Sequence, residues 1–127
     1  MENVQRRATK LVPNISNLSY QERLEYLNLP SLKYRRERGD MIETYNRVNK
    51  MKSSINKMIQ YNDFHNMFTL STNVTRGHNF KLSKDHNRLD VRKNSFSQRV
   101  VNTWNSLKYE TVNSKNVNEF KKGYTSI

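Results

Sequence analysis

Apolar spacing in this chain predicts a mainly α fold, a small helical domain with one short β-hairpin near residues 79–92. Three observations carry that prediction. Phe96, Val100, Trp104 and Leu107 recur at +4, +4 and +3, one face of a helix built around the single tryptophan. Met41, Tyr45 and Val48 repeat the +4, +3 spacing in a second stretch. Phe80 and Leu82, then Leu89 and Val91, alternate with polar residues on either side of a turn-forming Ser83–Asn87, which is strand spacing.

Taken in order, residues 2–12 predict a helix with Val4, Ala8 and Leu11 inward and Arg6, Arg7 and Lys10 outward, ended by Pro13. Ser19 and Glu22 form a capping box, each side chain placed to satisfy a backbone N–H of a short helix. That helix buries Tyr20, Leu24 and Leu27 and stops before Pro30. The longest helix covers about residues 31–50, with Tyr34, Met41, Tyr45 and Val48 inward. Glu37 falls on that stripe. Either it sits at a margin where the carboxylate reaches solvent, or the stripe drifts to Arg38 and Ile42. Gly39 weakens the middle by roughly 1 kcal/mol relative to Ala, enough to allow a kink.

Residues 51–77 form a poorly specified connector of short helix and loop. Gly77 admits the chain to the hairpin. Ser95 is placed to cap the Trp104 helix and Ser114 a last short one, with Val117 and Phe120 inward and Lys121 and Lys122 near its end. The organisation is one domain or fragment in three parts, 1–50, 51–77 and 78–127.

A mean hydropathy of −1.00 and a 34% apolar share imply a thin core. Periodic apolar positions argue against full disorder. With 23 Lys and Arg against 11 Asp and Glu, the net charge is +12. The excess is +4 in residues 1–50, +6 in 51–100 and +2 in 101–127, so the body is basic, not a tail. Such a field attracts polyanions, nucleic acid first and anionic membrane second.

The chain lacks cysteine, which excludes disulfides, thiolate zinc sites and a cysteine nucleophile. His65, His78 and His86 have no i,i+4 pair to hold a metal. No apolar run approaches the ~20 residues that span a bilayer. The N-terminus shows no signal region, so an intracellular place, nucleus or cytoplasm, is expected. Tyr61-Asn-Asp63-Phe64 brushes against a polymerase-like Tyr-x-Asp-Asp, but lacks the second carboxylate that a two-metal site needs. The chain is therefore not expected to be an enzyme on its own, and no cofactor is implied in it.

The candidate binding residues are cations in three groups: Arg6, Arg7 and Lys10; Arg35, Arg36 and Arg38; and Arg88, Arg92, Lys93 and Arg99. Arg35, Arg36 and Arg38 are the densest group, more charge than neighbours such as Asp40 neutralise, and suit a ridge facing phosphates.

Nearly the whole chain resembles the C-terminal, thumb and post-thumb, region of the reverse transcriptase of jockey-like non-LTR retrotransposons. The likeness is carried in order by Glu2-Asn-Val-Gln-Arg-Arg-Ala-Thr-Lys10, Leu18-Ser-Tyr-x-Glu-Arg-Leu24, Leu29-Pro-Ser-Leu-x-Tyr-Arg-Arg36 with Arg38-Gly-Asp-Met-Ile42, and Arg76-Gly-His78. It continues through Arg88-Leu-Asp-Val-Arg92, Phe96-Ser-Gln-Arg-Val-Val-Asn102, Trp104-Asn-Ser-Leu107 and Val117-Asn-x-Phe-Lys121. The chain departs from the family pattern at Glu37, Ser95 and Lys108. The resemblance implies a non-catalytic segment that grips an RNA and DNA template–primer for an upstream palm, the palm itself being a further partner. The alternative it leaves is a segment that only completes the polymerase fold. A membrane-surface role is the third and least favoured reading.

Overall fold

The computed structural model describes residues 2–57, 68–72, 76–86 and 88–125, with backbone alone for 54–57. Seven helices lie among them: α1 (Glu2–Lys10), α2 (Tyr20–Tyr26), α3 (Leu32–Lys57), α4 (Asp90–Lys93), α5 (Phe96–Asn105), α6 (Tyr109–Val112) and α7 (Val117–Thr125). The backbone divides into two compact units, Met1–Gly39 and Asp40–Ile127. Tyr61-Asn-Asp63-Phe64 lies outside the described residues.

In the first unit the capping box forms as the sequence predicts. Ser19 Oγ accepts from Glu22 N at 3.3 Å, and Glu22 Oε2 accepts from Ser19 N at 2.8 Å. At the other end of α2, Asn28 takes the left-handed conformation with φ 52°. Asn28 N and Leu29 N donate back to Glu25 O and Leu24 O, which closes the helix as a Schellman motif. Ser31, ahead of α3, accepts from Tyr34 N at 3.1 Å and serves as its cap.

The inner face of α1 is a correction. Val4 and Leu11 are 69% and 84% exposed, and Ala8 is exposed too. The side that packs is polar: Thr9 is buried and Glu2 and Gln5 are half-buried. The reason is the neighbour that α1 meets. Tyr20 and Arg23 of α2 present hydrogen-bonding groups, and only the Glu2, Gln5, Thr9 side of α1 can answer them.

In the second unit the helical stripes pack as expected. Met41, Tyr45 and Val48 of α3 are buried, with Val100 and Trp104 of α5, Leu107, and Phe120 of α7. Tyr34 is not part of that stripe and is exposed, and so is Glu37. The helix continues unbroken through Gly39. An aromatic series runs through this core. Tyr45 stacks on Phe120 at 4.4 Å, Phe120 lies 6.1 Å from Trp104, and His78 meets Trp104 edge-on at 5.8 Å.

The expected hairpin is absent, and no strand forms among the described residues. Leu82 instead makes an isolated antiparallel bridge with Leu70, supported by Ser71 N to Lys81 O at 2.8 Å and Ser83 N to Thr69 O at 2.7 Å. Leu89 and Val91, the supposed second strand, are 72% and 86% exposed. Asp90–Lys93 winds as a helical turn with its acid first and its cations last, the order that the helix dipole favours.

Two caps also differ. Ser95 is the N-cap of α5 by backbone angles, but its hydroxyl donates to Arg92 O at 2.6 Å and leaves the helix uncapped by a side chain. Asn116, not Ser114, accepts from the first turn of α7, at Glu119 N and 2.9 Å. Ser114 Oγ donates to Thr111 O.

Candidate nucleic-acid interface

In the first unit α1 carries Arg6, Arg7 and Lys10 to solvent. Arg6 is held over the Tyr20 ring at 4.9 Å. The Tyr20 hydroxyl sits 2.6 Å from both a Glu2 carboxylate oxygen and Gln5 Oε1. With one proton to give, it favours the charged acceptor. That hydrogen bond holds the Glu2 carboxyl below its ordinary range, while burial and then Glu2 push the Tyr20 phenol up. Glu2 also accepts from Lys33 N in the first turn of α3.

Arg23 is a basic residue that sequence reasoning overlooked. It is 7% exposed. Its Nε donates to Thr9 Oγ1 at 3.2 Å, Nη1 to Leu18 O at 2.6 Å and Nη2 to Arg6 O at 3.4 Å. It thus satisfies carbonyls at the end of α1 and in the following loop and is withdrawn from solvent. The signal was present in the sequence, since the residue after a capping-box Glu starts the second turn and faces inward beside Leu24.

Arg35 and Arg36 are exposed on the first turns of α3, and Arg38 is half-buried. None of the three forms an ion pair among the described residues.

In the second unit Arg99 is engaged. Its Nε and Nη2 each donate to the Asp40 carboxylate at 2.9 Å, a bidentate pair that raises the guanidinium pKa further. Arg99 and Arg47 both stand over the Phe96 ring, at 5.7 and 5.5 Å. Arg92 has a loose pair with Asp85 at 3.7 Å, and the two are well exposed. Arg88 and Lys93 are exposed beside it. Arg88, Arg92 and Lys93 therefore gather on one short segment around α4. Gln98 of α5 secures the preceding loop by accepting from Asp85 N at 3.2 Å.

The Trp104 helix is tied by hydrogen bonds to the segment that holds His78, Phe80 and Leu82. Trp104 Nε1 donates to Phe80 O at 2.9 Å. Asn105 accepts from Leu82 N at 2.8 Å and donates to Leu82 O at 2.9 Å, as a neighbouring strand would. His78 is fully buried; its Nδ1 accepts from Phe80 N, so Nε2 carries the proton and donates to Trp104 O at 3.0 Å. Burial pushes its pKa down, and Lys81 and Lys52 add to that.

No group of three or more His, Cys, Asp or Glu suited to a metal occurs among the described residues. No described helix is long and apolar enough to cross a membrane. No protein-family model, curated protein or solved structure matches the chain.

Proposed function

We propose that the chain is a non-catalytic nucleic-acid-binding module that grips a template–primer through its phosphates, in the manner implied by its likeness to the thumb end of a non-LTR retrotransposon reverse transcriptase. The observation that supports this most is the state of the cations. Asp40, the acid best spaced to neutralise Arg36, is taken by both arms of Arg99. Arg35, Arg36 and Arg38 in one unit and Arg88 and Lys93 in the other are left without an ion pair among the described residues, and Arg92 has only a loose one. Unneutralised exposed guanidinium and ammonium groups are what phosphate contacts use.

The test is fluorescence anisotropy on a duplex and an RNA–DNA hybrid across a salt series. Six contacts predict a slope of log K against log salt of about −5. Replacing Arg35, Arg36, Arg38, Arg88, Arg92 and Lys93 by Gln flattens it. A flat response in the unaltered protein sinks the reading. Arg99 is left out of the set because its loss also removes the Asp40 pair.

A second reading, a piece that only completes the polymerase fold, has its own observation. Val4, Leu11, Tyr26 and Leu29 of the first unit are exposed large apolar residues that a covering partner such as the palm would bury.

A further inference from the structure

Between the middle of α3 and the start of α7 lies an open cleft of about 480 Å³. Arg47, Lys50 and Lys115 line it together with Asn46, Asn49 and Asn116. Glu43 is the one acid among its described lining residues and accepts from Arg47 Nε at 2.7 Å, and the formal charges of that lining sum to +2. Its floor is Tyr45, which is buried, stacks on Phe120 and donates its hydroxyl proton to Ser114 O. None of these cations is among the candidates that the sequence predicts. We propose that this cleft seats an unpaired polynucleotide strand, with a phosphate among Arg47, Lys50 and Lys115 and the asparagine amides on the sugar or base edges.

The size and the chemistry of the walls select a single strand. A concavity of this volume is in the range that holds a small ligand, about one nucleotide. A B-form duplex, whose major groove alone is about 12 Å wide, presents a convex surface too broad for it. The amides of Asn46 and Asn49 both donate and accept, and Asn116, whose Oδ1 caps α7, keeps its NH2 to donate, which matches base edges and ribose hydroxyls that only an unpaired strand leaves free. Recognition is by hydrogen bonds, because Tyr45 is sealed in the core and offers no ring face for stacking. The cleft rests on the nucleic-acid reading above and adds to it a place where the strand beyond the duplex would lie.

The experiment compares Lys50→Gln/Lys115→Gln with the unaltered protein. Both lysines are exposed, so the variant keeps its fold, checked by far-UV circular dichroism. Probes are a fluorescein-labelled single strand of about 12 nucleotides, within the site sizes that such surfaces cover, and a duplex of the same sequence. The expected result is a roughly tenfold loss of single-strand affinity and a salt slope smaller by about 1.4 for two lost contacts, with duplex affinity unchanged. A 4-thiouridine strand should crosslink to peptides holding Asn46–Lys50 and Lys115–Val117. Unchanged single-strand affinity while the duplex still binds overturns the cleft and leaves the module reading standing. An equal loss on both probes, or crosslinks elsewhere, also overturns the cleft. If the unaltered protein binds neither probe, both readings fall.

Discussion

Around Arg23 the first unit is joined by hydrogen bonds, and around Trp104 the second is joined by packed aromatic rings. The first buries few apolar side chains, chiefly Ile15 and Leu24, and closes instead on Glu2, Gln5, Thr9, Tyr20 and Arg23. The second buries Met41, Tyr45, Val48, Val100, Val101, Trp104, Val112 and Phe120 in one cluster. Apolar burial is divided among many weak contacts, so its loss scales with the surface and volume emptied. A buried polar network is concentrated in few contacts, because each donor left alone costs the whole desolvation of that group. The two units should therefore fail differently.

The largest loss is expected from Trp104→Ala, about 3–5 kcal/mol, since it empties the centre of the aromatic series and strands Phe80 O. Chemical denaturation followed by circular dichroism measures it. Next comes Arg23→Ala, at about 2 kcal/mol or more, from the Leu18 carbonyl left unpaired and the lost link to Thr9 Oγ1, Arg6 O keeping its bond from Thr9. Amide hydrogen exchange separates the two cases. Arg23→Ala should lower protection at Arg23 and Leu27 and spare Leu107 and Phe120, and Trp104→Ala should do the reverse. Uniform loss in either variant would break the comparison and mean that the units open together.

Acid is a milder attack, and it acts on the second unit. His78 is neutral in the fold, with Nδ1 occupied as an acceptor and the lysines Lys52 and Lys81 nearby. Its folded pKa is lowered from 6.5, so the unfolded chain binds the proton more readily. The sign follows: the His78 contribution is fully present above pH 6.5 and is lost as pH falls from there through the folded pKa. Urea midpoints taken from pH 7.5 to pH 5 should drop in the second unit, and His78→Gln should lower the midpoint at pH 7.5 while flattening its slope with pH. A slope unchanged in His78→Gln would place the titrating group elsewhere.

Much of the second unit was legible because its helices bury what their spacing marks. Phe96, Val100, Trp104 and Leu107 face inward on the period read from the sequence, though Phe96 only in part. The capping box at Ser19 was legible for the same reason, since it is a local rule satisfied within four residues. The hairpin was not, because alternation at Leu89 and Val91 states a period and not a partner. Residues 69–71 supply the bridge to Leu82, and nothing local reveals that. The cations were legible as charge, but not as free or engaged. Arg99 meets Asp40 across 59 positions of sequence, and Arg23 turns inward. The cleft of Arg47, Lys50 and Lys115 is assembled from two distant helices and leaves no mark in either stretch.

The smallest effect belongs to the face of α1 that hydrophobicity alone would call core. Val4 and Leu11 stand 69% and 84% exposed, so Val4→Ser and Leu11→Ser should each change stability by no more than about 0.5 kcal/mol. Thr9→Val on the opposite side should cost more although it adds apolar surface, because Arg23 Nε loses its acceptor at 3.2 Å. Thermal melts of the three variants rank the two faces directly. If the serine variants melt well below Thr9→Val, the apolar face of α1 is packed after all and the polar closure of the first unit is wrong. If they melt with the unaltered protein, Val4 and Leu11 are held at the surface for something other than the stability of this unit. The same two variants then serve the second functional reading, because a partner that covers this face would lose affinity for them while the unit itself stays folded.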